Sequence, residues 1–318
     1  MEYLFLIISL CAVIFGADTL VSGAVAIARK LKISDFVIGA VIVGIGTSLP
    51  ELIVSATGAW QGNVDIAVGN VVGSNIFNVL GILGLTAMLC PTNVSRSNLR
   101  FELPFCIFVS VVVMLLAFNF FNGNTSCISR VDGVVLLVLF VLFLYVSFLR
   151  DKQNSASAPT DETESASVQP MWLALLKVVG GLVVLIVGCD HFVENAVTIA
   201  TRWGVNEAFI SITLIACGTS LPELAASIAA AIKRNTELAL GNIIGSNIFN
   251  ITFILGVSSQ ISPLGGGGIT SIDYAVMIVA AVLPVVFGWW GKIFRTAGVA
   301  MFLCFVAYTI YLLRMQGI

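Results

Sequence analysis

The chain alternates long apolar runs with short polar punctuation. Ten runs stand out, at roughly 3–28, 36–60, 66–89, 102–118, 131–149, 171–200, 206–232, 237–260, 272–290 and 295–313. A helix needs about 20 apolar residues to cross a hydrocarbon core ~30 Å thick, and these runs supply that length repeatedly. The pattern predicts an all-α integral membrane protein with ten transmembrane helices. Two of the runs break their own rule. GTSLPEL occupies residues 46–52 and returns unchanged at 218–224, placing a proline, a carboxylate and two hydroxyls inside apolar helices.

The repetition extends well beyond seven letters. Residues 41–84 align without a gap with 213–256 at a constant offset of 172, and 22 of 44 positions are identical. The same offset pairs Gly16-Ala17-Asp18 with Gly188-Cys189-Asp190. The chain therefore divides into a first five-helix repeat, 1–150, a linker, 151–170, and a second repeat, 171–318. Five is odd, so the second repeat enters the membrane upside down relative to the first. Two inverted five-helix repeats are a common build of secondary transporters, with the substrate site at the midplane.

Pro50 has no N–H to offer the Gly46 carbonyl, and Pro222 stands in the same relation to Gly218. Each helix should break there, and broken backbone survives in a membrane only where protein or a polar cavity surrounds it. Thr47, Ser48 and Glu51 lie three and four residues apart, as do Thr219, Ser220 and Glu223, so each set can face one spot. In the following helix Ser74 and Asn78 are four apart, matched by Ser246 and Asn250. Gly69 and Gly73, with Gly241 and Gly245, form small-residue faces suited to close helix approach. Two carboxylates, two amides and six hydroxyls form an all-oxygen set, with no histidine or thiolate expected among them. Such donors suit Ca²⁺ or Na⁺ rather than zinc, copper or iron.

Composition supports the membrane reading. The chain is 58% hydrophobic and 10% charged, against about 25% charged in an average soluble domain. Charge placement supplies an orientation. Alternating the connections between two sides puts 11 lysines and arginines on one side and three on the other. The positive-inside rule then places both termini outside and the linker 151–170 in the cytoplasm. That linker is rich in Ser, Ala, Thr and acid and should be disordered. The first run lacks a positive flank and a cleavage site and reads as a retained helix. Seven scattered cysteines read as apolar fillers. Asp18 and Asp190 are open between structural and ion-pathway roles, whereas His191 reads as an interfacial residue. HExxH, GxSxG and paired intramembrane aspartate patterns are absent from the sequence, which argues against an enzyme.

GTSLPEL followed by GNVVGSNIFN, and GTSLPEL followed by GNIIGSNIFN, resemble the two alpha repeats of the cation/calcium exchanger superfamily, most closely its bacterial and archaeal sodium/calcium antiporters. The resemblance covers both halves. It implies a multi-pass cell-membrane antiporter exchanging Ca²⁺ for Na⁺ at a site used alternately by both ions. By resemblance, Glu51 and Glu223 are the shared carboxylates, and Thr47 and Thr219 give carbonyls to Ca²⁺ and, with Ser48 and Ser220, oxygens to Na⁺. Gly44 and Ala216 supply carbonyls, Ser74 and Ser246 hydroxyls to outer Na⁺ sites, and Asn78 and Asn250 close the centre. Several family members carry aspartate at the place of Asn250. The departure leaves two carboxylates rather than three and weakens the case for potassium coupling. The alternative is a H⁺/Ca²⁺ or other divalent-cation antiporter using the same carboxylates. The expected partners are the transported ions and the lipid bilayer, with no cofactor, nucleic acid or obligate protein partner.

Overall fold

The computed structural model describes residues 2–118, 127–156, 169–203, 218–265 and 269–315. Apolar helices dominate. In chain order they are α1 (Glu2–Leu31), α2 (Asp35–Thr47), α3 (Leu49–Trp60), α4 (Val64–Leu89), α5 (Arg96–Ala117), α6 (Arg130–Lys152), α7 (Met171–Arg202), α8 (Leu221–Ile232), α9 (Thr236–Ile261), α10 (Ser271–Gly288) and α11 (Arg295–Met315). Eight are long and apolar enough to span a bilayer alone. The pair α2 and α3 makes a ninth span, bent by 47° at Ser48. The bend falls where Pro50 removes a helical donor, as the sequence predicts. Among the described residues α8 is 12 residues long, and the preceding part of the seventh predicted run lies outside them.

The surface matches a lipid environment. Helices α1, α6, α7 and α11 present rows of exposed Leu, Ile, Val and Phe. All five tryptophans are exposed and stand at helix ends, Trp60 as the last residue of α3, Trp172 and Trp203 at the two ends of α7, and Trp289 and Trp290 after α10. Amphipathic rings at the ends of spans form the belts expected at membrane–water boundaries.

Helices α4 and α9 lie at the centre, and α9 is buried along nearly its whole length. Helix α1 packs along α7 through glycines. A Cβ on Gly16 would come 2.6 Å from the Leu185 nitrogen, and one on Gly181 would come 2.6 Å from the Leu20 nitrogen. The same device joins α2 to α9, where a Cβ on Gly241 would meet the Phe36 carbonyl at 2.2 Å and one on Gly245 the Ala40 Cα at 2.4 Å. The sequence assigns equal close packing to Gly69 and Gly73. A Cβ on Gly69 meets only the Ile269 side chain, at 3.3 Å, and one on Gly73 meets nothing among the described residues within 4 Å. The counterparts of Phe36 and Ala40 at the 172 offset, residues 208 and 212, lie outside the described residues.

Two short antiparallel ribbons tie the halves together. Thr92–Asn93 pairs with Lys292–Ile293, and Cys127–Ile128 pairs with Leu264–Gly265. In each ribbon one strand comes from the first half and the other from the second. Asp18 also bridges the halves, accepting an ion pair from Lys233 at 2.7 Å, while Asp190 is exposed. His191 lies at the exposed surface, 3.4 Å from Glu194.

Candidate cation site

The break at Ser48 brings the polar letters of both cassettes into one buried cluster. Ser48 and Ser220 occupy the junctions that precede α3 and α8, outside regular helical geometry. Pro50 and Pro222 sit in the first turn, where a missing N–H is harmless. Glu51 and Glu223 follow in that same turn, facing the positive end of the helix dipole. Both carboxylates are fully buried.

The hydrogen bonds come in reciprocal pairs separated by the sequence offset. Ser48 donates to Glu223 Oε1 at 2.7 Å, and Ser220 donates to Glu51 Oε1 at 2.8 Å. The Asn70 amide donates to the Glu51 carbonyl at 3.2 Å and to the Ser55 hydroxyl at 2.9 Å. Its counterpart Asn242 donates to the Glu223 carbonyl at 3.2 Å and to Ser227 at 2.8 Å. Asn75 and Asn247 exchange amide-to-backbone bonds at 3.3 and 3.2 Å, welding α4 to α9. Asn78 donates to Asn247 Oδ1 at 3.1 Å, and Asn250 donates to Asn75 Oδ1 at 3.2 Å. Asn78 and Asn250 both stand in wide, π-helical turns, which often mark functional positions.

After this accounting four buried side-chain oxygens have no hydrogen-bond partner, Glu51 Oε2, Glu223 Oε2, Asn78 Oδ1 and Asn250 Oδ1. Native structures rarely leave buried acceptors unmet, and four in one symmetric set need an explanation. Among the described residues neither glutamate has an ion-pair partner. A buried carboxyl pair without a counter-charge is costly when ionised; a proton or a cation would relieve it, and a cation would also meet the idle amide oxygens. The donors are all hard oxygens. Among the described residues no three His, Cys, Asp or Glu side chains converge.

The other sequence-assigned residues fall in and around the cluster. Thr47 is buried, its hydroxyl 3.0 Å from the Val43 carbonyl and 3.2 Å from Asn242 Oδ1. Thr219 is half-buried and donates to Asn70 Oδ1 at 3.4 Å. Ser246 donates to the Gly44 carbonyl at 3.1 Å, which ties α9 to the end of α2. Ser74 turns to its own helix, donating to Val71 O at 3.2 Å, and accepts from Asn250 at 3.2 Å. Ala216 lies outside the described residues. Six polar residues were passed over by the sequence reading, Ser55, Asn70, Asn75, Ser227, Asn242 and Asn247. Their signal was present, because each is identical in both copies at the 172 offset.

The cross-cage serines give a first test. Each aims a carboxylate from the opposite half, so Ser48→Ala and Ser220→Ala should weaken Ca²⁺ affinity alike, by roughly 10–100-fold, the usual cost of losing an orienting partner. Equilibrium ⁴⁵Ca²⁺ binding checks this, with thermal unfolding as a control. A null effect in one serine but not the other contradicts the reciprocal arrangement.

Fold and cluster together define an all-helical, multi-pass membrane protein with a buried cluster of oxygen-bearing side chains, two carboxyls among them. The family model described as sodium/calcium exchanger protein matches residues 1–149 and 173–314. The chain belongs to that family. It is 39% identical over 313 residues to the candidate antiporter CaxA of Alkalimonas amylolytica, covering 96% of both chains. It is 31% identical over 349 residues to the sodium/calcium exchanger MaX1 of Methanosarcina acetivorans, covering 98% of both. Its structure superposes on that of the sodium-calcium exchanger NCX_Mj, soaked with Na⁺ and Sr²⁺, with a TM-score of 0.80 and 32% identity over 96% of this chain and 97% of that one.

Proposed function

We propose that this protein is a secondary active antiporter exchanging Ca²⁺ for Na⁺ across the cell membrane by alternating access. The observation that carries the reading is the symmetric set of four unpartnered oxygens on Glu51, Glu223, Asn78 and Asn250. Glu51 and Glu223 neutralise one Ca²⁺. Thr47, Thr219, Gly44 and Ala216 contribute backbone carbonyls, and Ser48, Ser220, Ser74 and Ser246 contribute hydroxyls when Na⁺ replaces Ca²⁺. Three Na⁺ against two carboxylates leave one net positive charge, so exchange is electrogenic and responds to voltage at about 2.3 kcal/mol per charge per 100 mV.

The architecture behind this function is ten spans in two inverted five-helix repeats, 1–150 and 171–318, joined by the cytoplasmic linker 151–170, with both termini outside. Supporting it are the paired ribbons, the paired hydrogen bonds at a fixed offset and the lysine/arginine bias.

Competition tests the shared cage. Na⁺ should displace ⁴⁵Ca²⁺ from purified protein at equilibrium with a cooperative dose curve, since several Na⁺ replace one Ca²⁺. Displacement by protons with no response to Na⁺ would instead identify a H⁺/Ca²⁺ antiporter using the same carboxylates.

A further inference from the structure

Nine buried side-chain atoms lack a hydrogen-bond partner among the described residues. Four belong to the cage. Two more, Thr86 Oγ1 and Ser258 Oγ, are related to each other by the same 172-residue offset. The remaining three, Asn98 Nδ2, Glu102 Oε2 and Ser147 Oγ, have no counterpart among the nine, and all three residues line a single cavity of about 300 Å³.

That cavity sits where the start of α5, the end of α6 and the entry to α2 meet. Its walls include Glu102, 3% exposed, Asp151, 8% exposed, and Ser147, 2% exposed, with half-buried Glu237 also in the lining. Asp151 already accepts from the Ser34 nitrogen, at 3.1 and 3.3 Å from its two oxygens, at the entry to α2. The neighbouring cation is Arg150, whose guanidinium lies over the Phe101 ring at 4.5 Å. The lining thus carries three acidic side chains, and its unpartnered groups are carboxyl, hydroxyl and amide.

We propose that this cavity is a second cation site, separate from the transport cage, that takes a partly hydrated divalent cation of the Mg²⁺ type. Mg²⁺ dehydrates reluctantly and is held by one or two carboxylates through its retained waters. The cavity suits that habit. Among the described residues no three acidic, histidine or cysteine side chains converge on a point, so a bare ion would lack ligands. Four retained waters at ~30 Å³ each need roughly 120 Å³, which the space accommodates. Asn98 and Ser147 then bond to the ion's waters, and Glu102 and Asp151 balance its charge. A cation there ties α5 to α6 beside the entry to α2, the helix that leads to Thr47 and the bend.

The test is Mn²⁺ binding by electron paramagnetic resonance, in the full chain carrying Glu51→Gln and Glu223→Gln. That background removes the carboxylates of the cage, so the result stands apart from whichever ions the cage transports. One Mn²⁺ per chain should remain bound and be displaced by Mg²⁺. Adding Glu102→Gln should weaken it by about tenfold or more, and Ser147→Ala should weaken it less. Ser147→Ala removes only a hydroxyl and decides the matter if the glutamine variant fails to fold. No bound Mn²⁺ in the cage-deficient background means that only water fills the cavity, and overturns the proposal. So does binding unchanged by the Glu102 and Ser147 substitutions, or Mn²⁺ displaced by Ca²⁺ but not by Mg²⁺.

Discussion

Glu51→Gln and Glu223→Gln are each expected to abolish Ca²⁺ transport, with a loss of at least ~100-fold, larger than the 10–100-fold usual for residues behind a metal's ligands. The reasoning is electrostatic. Each carboxylate is fully buried, has one oxygen held by a serine from the opposite half, and keeps the other oxygen unpartnered. Glutamine keeps the volume, deletes the charge and turns one acceptor into a donor. A Ca²⁺ facing one carboxylate would carry a net positive charge in a dry interior, which is strongly unfavourable. Folding should not suffer, because removing an uncompensated buried charge is neutral or stabilising in the apo protein. The variants should therefore unfold no more readily than the parent while binding no ⁴⁵Ca²⁺. Near-normal flux in either variant would remove that residue from the site.

The second large effect concerns a glycine that lets two central helices touch. Gly245→Ala should destabilise the fold, because its Cβ would fall 2.4 Å from the Ala40 Cα and 2.6 Å from the Ala40 carbonyl oxygen. Backbone cannot rotate out of the way as a side chain can, so the helices must separate, and overpacking of this kind costs about 1–3 kcal/mol. A thermal melt checks this, and a Gly245→Ala protein that melts with the parent contradicts the close approach of the two helices.

Much of this was legible in the letters. The doubled GTSLPEL announced the bend, and the structure bends α2 against α3 by 47° at Ser48, two residues before the proline. Glu51, Glu223, Asn78 and Asn250 emerged as candidates because polar residues within apolar runs are conspicuous, and their four idle oxygens form the core of the cluster. The asparagines at 70, 75, 242 and 247 were less conspicuous. They lie in the same runs, but their work is to clamp backbone across helices, and spacing along one helix does not reveal a partner on another. The π-helical turns around Asn78 and Asn250 have no local signature, because they arise from packing rather than propensity.

The central claim, coupled exchange through this cage, is tested most directly by ⁴⁵Ca²⁺ uptake into proteoliposomes loaded with Na⁺. The expected result is uptake that follows the outward Na⁺ gradient, responds to membrane voltage, and disappears in Glu51→Gln and Glu223→Gln. Uptake that ignores the Na⁺ gradient, or persists in both glutamine variants, would contradict the account.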